Sequence, residues 1–199
     1  MKKILLLFSL ITCSFTPLWA YKILYAEQFF RLYHLHFTQY PDDTLENIYY
    51  LEQALKADFC NPLYALAKIQ NTREWERYRY LFKMHVNLKL VEAYLLLGSK
   101  FDKMIAYFYN APWKNDNLES LKTAEQAYEF SIKYWEEAKK WAVQADGLKF
   151  LHLEAIQYWE DENFRILSGE LDYGDIIQSH LARLKKVRAD FEKMDKNTY

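Results

Sequence analysis

The histidines and the clustered charges are the residues of this sequence whose types could support chemistry, as metal ligands, general bases or ion-binding oxygens. His34 and His36 stand two apart. On a helix such a pair diverges, whereas two imidazoles that share a metal lie four apart as in HExxH, a motif the chain lacks. His152 and Glu154 have the same two-residue spacing. His85 and His180 stand singly among apolar neighbours and read as half-buried packing residues. YWEDENF crowds Glu160, Asp161 and Glu162 together, but without a glycine turn or alternating oxygen ligands it reads as a solvated acidic face, not a calcium loop. There is no glycine-rich phosphate loop, nucleophile elbow or paired-cysteine motif. No catalytic residue, metal or cofactor is expected.

The stretch REWERYRY, residues 73–80, has a different chemistry. Arg73, Arg77 and Arg79 alternate with Trp75, Tyr78 and Tyr80, the mixture that stacks on single-stranded nucleic acid. Glu74 and Glu76 neutralise most of that field, so ion pairs on a helix surface or an aromatic and arginine protein interface fit better. The whole chain has 26 Lys and Arg against 27 Asp and Glu, too balanced to imply nucleic acid or an anionic surface as an obligate partner.

The elements that would position these residues are helical. Gly and Pro number four each, and no alternating apolar run bounded by turn signals suggests a strand. Helical periodicity predicts segments from Lys22 to Phe37, from Thr44 to Ala57 behind Asp42 or Asp43 as N-cap, and from near Pro62. Asn71 with Glu74 restarts a helix that runs to Leu97 and stops at Gly98. A short helix over Phe101 to Tyr109 and the loop NAPWKNDN come next, then a segment from Asn117 to Ala145, capped by Asp116 with Glu119 and read as one helix or two. Gly147 closes it. Further helices cover Lys149 to Leu167 and, behind Asp175 with Gln178, a last segment to Met194. In that segment Ile177, His180, Leu184, Val187, Phe191 and Met194 form an apolar seam that packs on one partner helix, with Arg183, Lys185, Lys186 and Arg188 opposite. It would seal the open end of the stack or dock on another subunit. The body holds one cysteine, Cys60, read as a buried small hydrophobe. With 51% hydrophobic and 18% aromatic residues, packing alone must supply the core.

The break in LEQALKADFCNPLYALAKI and the stretch LVEAYLLLGSKFDKMIAYFYNA carry a resemblance. Leu90, Val91, Tyr94 and Gly98 match the first-helix pattern and turn glycine of tetratricopeptide (TPR) repeats. After one inserted residue, Phe101, Met104, Phe108 and Ala111 match the second helix, although Met104 is larger than the family's small residue. Leu51, Ala54, Leu63, Leu66 and Ala67 fit flanking repeats, with Phe59 in place of the usual proline. Leu121, Ala124 and Tyr128, then Ala138, Ala142 and Ala145, suggest another pair without a glycine between them. The chain thus resembles a divergent TPR-like protein. The resemblance implies an all-α fold of antiparallel hairpins stacked as a short solenoid over residues 21–146, with residues 147–199 as a C-terminal helical hairpin on the same domain. It also implies a concave face that binds peptides or protein surfaces without catalysing. By register that face carries Tyr64, Lys68 and Asn71 from one hairpin and His85, Glu92 and Leu96 from another, with Trp75 and Arg77 beside them.

Residues 1–20 have the pattern of an export signal: Lys2 and Lys3, an apolar run from Ile4 to Ile11 too short to span a bilayer, Pro17, then Leu-Trp-Ala. Cleavage after Ala20 is the preferred reading. LITC instead offers Cys13 as a lipidation site, and a retained anchor is a third option. Each places the body outside the cytoplasm, in a bacterial envelope. In overall make-up the chain is similar to small periplasmic TPR-like scaffold subunits of the spirochaete flagellar-motor collar. The expected function is a non-enzymatic periplasmic scaffold or adaptor that assembles with other envelope proteins, or as an oligomer, through helical surfaces. The alternative is a helical protein that holds a small hydrophobic ligand or lipid, for example as a transporter accessory.

Overall fold

The computed structural model describes residues 22–107 and 112–194, so Cys13 and Ala20, and with them the expected lipidation and cleavage sites, lie outside the described residues. Six α-helices form among the described residues: α1 Ala26–Gln39, α2 Thr44–Lys56, α3 Thr72–Phe101, α4 Lys114–Asp146, α5 Gln157–Ser168 and α6 Tyr173–Lys193. No strand forms among the described residues. Tyr25 and Asp58 make one isolated bridge, beside which the Ala26 amide donates to the Asp58 carbonyl at 2.8 Å.

Several starts follow from capping. Asp43 accepts from the Glu46 amide at 3.3 Å to open α2. Asn71 accepts from the Glu74 amide at 3.0 Å, while the Glu74 carboxylate takes the Gln70 amide at 2.7 Å and opens α3. Helix α6 starts three residues earlier than expected, because Asp172 caps it and not Asp175. Helix α4 is one unbroken helix of 33 residues.

The core is built around α3. Residues 81, 82, 84–88, 90 and 91 are all buried, which leaves this helix covered on nearly every side in its middle third. Helix α4 offers it a stripe of small residues, Ala124, Ala127, Ala138, Ala142 and Ala145, that lets the two backbones approach. Gly98 completes that approach. A Cβ there would fall inside contact distance of the Tyr128 ring, so this glycine lies within α3 and does not end it. On its other side α3 packs against α2, and α1, which pairs antiparallel with α2, reaches it through Phe30, whose ring meets Phe82 and His85.

The C-terminal pair does not fold back as a hairpin. Glu160 and Glu162 of α5 meet Arg77 and His85 of α3, while Tyr173 and Arg183 of α6 meet Glu92 and Asp102 farther along. Both helices therefore run in the direction of α3, one after the other. The reason is length: α4 extends about 50 Å at 1.5 Å per residue, more than one short helix covers. The chain turns between them at Gly169, whose φ of 78° is left-handed. The seam residues Ile177, Leu184, Val187, Phe191 and Met194 are all buried against the body, so the seam seals this chain's own core.

Three expected helices are missing or shortened. From Pro62 only a 3-10 turn to Tyr64 forms. Residues 102–107 are not helical, while residues 108 and 109 lie outside the described residues. Residues 147–153 form turns, and α5 begins only at Gln157.

Candidate interaction surface

One face of α3 carries His85, Lys89, Glu92 and Leu96 at helical spacing, and the flanking helices make it the floor of a groove. Along the first wall, α1 supplies Phe30 at the inner end and Tyr33 and Phe37 farther out. The second wall is α5 followed by the start of α6, which present Tyr158, Glu162 and Tyr173.

The inner end is closed. Phe30, Phe82 and Trp159 pack with ring centroids 5.4 to 5.9 Å apart, joining α1, α3 and α5. His85 stacks on Trp159 at 5.0 Å and meets the Glu162 carboxylate through Nδ1 at 2.5 Å. Burial lowers the His85 pKa below its ordinary value, and this outweighs the carboxylate that would raise it. Moving outward, Lys89 pairs with Glu92 at 2.9 Å, and the Tyr173 hydroxyl donates to Glu92 at 3.0 Å. Burial, aided by the charge of Glu92, pushes the Tyr33 hydroxyl up to about 12, so it remains a donor at any physiological pH.

The outer end is open. Leu96 is 41% exposed and Phe37 43%. Between them lies a cavity of about 130 Å³ lined also by Tyr33, Pro41, Thr44, Asn47 and Ala93. A second apolar strip crosses the other side of α3: Leu45 and Tyr49 of α2 are exposed, as is Phe130 of α4, which stacks on Tyr94 at 5.2 Å. Its centre is fixed by Glu52, whose Oε1 accepts from Tyr94 at 2.9 Å and Tyr134 at 2.8 Å. Burial by itself would raise the Glu52 pKa, but these hydroxyls and Lys56 together hold it below the usual range.

The expected binding residues therefore divide. Glu92 and Leu96 line the groove, with His85 buried at its inner end. Tyr64, Lys68 and Asn71 do not join them: Tyr64 is in the 3-10 turn, Lys68 in the following loop, and Asn71 is the cap of α3. Trp75 stacks on Tyr78 at 5.2 Å and packs against Phe59. Arg77 is buried, donating to the Leu148 carbonyl and pairing with Glu160 at 3.1 Å. Arg77 and His85 are thus corrected from partner contacts to internal ties, because a buried cation or imidazole must be paired inside the fold. Phe37, Leu45, Tyr49 and Phe130 are surface residues that the sequence reading passed over. For α2 the signal was present: Leu45 and Tyr49 lie four apart, opposite the buried stripe of Ile48, Leu51 and Ala54.

A family model described as "Domain of unknown function (DUF8513)" matches residues 73–194, which takes in α3 through α6. No curated protein and no solved structure matches.

Proposed function

The chain belongs to the DUF8513 family, and from the groove we propose that it is a non-enzymatic scaffold or adaptor that binds a segment of another envelope protein along the outer half of α3. The observation that carries this reading is the contrast between a groove open at Leu96 and Phe37 and the small cavity beneath it. Pockets that enclose a small molecule run to about 300 Å³ or more, so this cavity, at 130 Å³, suits one side chain entering from a partner and not a whole lipid. The groove offers what a peptide or helix needs: apolar anchor sites at Leu96 and Phe37 beside the Lys89 and Glu92 pair for polar contacts.

The compartment in this proposal is the periplasm, on the strength of Lys2, Lys3 and the short apolar run that follows. The spirochaete flagellar-motor collar, whose subunits the chain resembles in make-up, is the assembly to test first. The test is crosslinking in intact cells with a C-terminally tagged chain, followed by identification of the captured proteins. Recovery of one envelope assembly in fixed proportion supports the proposal. A monomer with no captured protein, yielding lipid on extraction, overturns it in favour of the ligand reading.

A further inference from the structure

Another concavity lies apart from the groove. A cleft of about 670 Å³ opens between α5 and residues 147–153, near the start of α3 and away from Leu96. That volume falls in the range of pockets that hold a small molecule, roughly 300–1,000 Å³. The fold fixes its walls. Arg77 of α3 donates to the Leu148 carbonyl and pairs with Glu160 of α5 at 3.1 Å, and the same carboxylate takes the Leu153 amide at 3.1 Å. Both ends of the connecting segment are thereby held, so the cleft exists before anything enters it.

The polar groups lining this cleft fall into two sets. The charges are largely matched within the fold: besides Arg77 with Glu160, His152 meets Glu160 at 2.9 Å and Lys149 meets Asp146 at 3.7 Å. Others are unmatched. Asn163 is only 5% exposed, yet its Oδ1 has no hydrogen-bond partner among the described residues, and neither has the Nε of buried Arg77. A buried polar group without a partner loses its hydration and gains nothing in return. A ligand in the cleft would supply what is missing. Beside these groups, Gln157, Asp161, Phe164 and Leu167 step by three and four residues along the α5 wall. Phe164 is 64% exposed, and Leu167 is exposed next to it.

We propose that this cleft binds an uncharged polyhydroxyl ligand, of the chemical class of a pyranose sugar. Three features select that class. The unmatched set mixes acceptors, the Asn163 Oδ1 and the Asp161 carboxylate, with donors, the Arg77 Nε and the Gln157 amide; a hydroxyl both donates and accepts, so it meets either kind. The cations that line the cleft are already paired, so an anionic ligand would have to break a pair to bind. The exposed ring of Phe164 with Leu167 forms an apolar platform that the C–H face of a sugar ring can cover.

Saturation-transfer difference NMR on the full chain tests this, with glucose, galactose and N-acetylglucosamine as probes and spermidine as a cationic comparison for Asp161. Transfer to the ring protons of at least one sugar is expected, falling severalfold in Phe164→Ala and in Asn163→Leu, each checked for an unchanged helical spectrum. Phe164 is exposed, so its variant should fold even if Asn163→Leu does not. No transfer to any of the three sugars, transfer that persists undiminished in Phe164→Ala, or transfer to spermidine alone overturns the proposal. Neither position lines the groove, so such a failure leaves the partner reading to its own crosslinking test.

Discussion

Positions 85 and 96 lie on the same face of the same helix, eleven residues and three turns apart, yet they have opposite fates. Around His85 the face is shut: α5 lays Trp159 across it, α1 adds Phe30, and Glu162 reaches in to meet the imidazole. Around Leu96 the cavity is lined from α1, α2, the turn between them and α3, with no residue of α5 or α6 in its lining. The comparison teaches that the groove is set by where the short C-terminal helices stop, not by a change in α3.

The largest effect is expected from Trp159→Ala, which removes the fully buried ring shared by α1, α3 and α5. Such truncations cost about 3–5 kcal/mol, to be read by urea unfolding, and the loss should come with a loosened α5. A cost below about 1 kcal/mol would mean that the inner end is not closed as described.

The second concerns Gly98→Ala. The added methyl would meet the Tyr128 ring, which cannot swing aside because it stacks on His180 at 4.9 Å and donates to Asp102 at 2.9 Å. Overpacking of this kind costs about 1–3 kcal/mol, against about 0.5–1 kcal/mol gained from alanine in an open helix. An unchanged Tm would show that α3 and α4 do not approach so closely.

The third is a pH dependence. Burial lowers the folded-state pKa of His85 below 6.5, and burial likewise lowers those of His34 and His180. The unfolded chain then binds more protons than the folded one just below that value, so stability falls as pH falls through about 6.5. Thermal unfolding between pH 7.5 and 5.5 should give a Tm that declines with acid, with a shallower slope in His85→Gln. A Tm that rises on acidification would mean that Glu162 dominates and the imidazole is held charged.

Much of this architecture was legible in the sequence, for local reasons. Asn71 with Glu74 announces the start of α3, Asp43 that of α2, and the steps from Ile177 to Phe191 announce the buried seam of α6. The helices that failed were overruled by distant partners. Residues after Pro62 are drawn into a loop whose Leu66 amide is held by Tyr78, from the far side of the α3 cap. Asp102 leaves the helix and takes Tyr128 and Arg183. The backbone at Leu148 turns out to receive Arg77, which unwinds the expected start of α5. Each is a contact between residues at least 12 apart, which no periodicity encodes. The groove was half legible: the spacing of His85, Glu92 and Leu96 gave the face, while the point at which α5 ceases to cover it depends on where Gly169 turns the chain.

The smallest effect on stability and the largest on function are predicted for the same substitution, Phe37→Glu with Leu96→Glu. Both side chains are already more than a third exposed, so unfolding should shift by no more than about 0.5 kcal/mol per site. Crosslinked capture of envelope partners from intact cells, compared between this variant and the unaltered chain, is the measurement that bears most directly on the central claim. The unaltered chain should bring down one assembly in fixed proportion, and the folded variant should lose it. Equal recovery by both would contradict the claim that the open half of the α3 groove is where the partner binds.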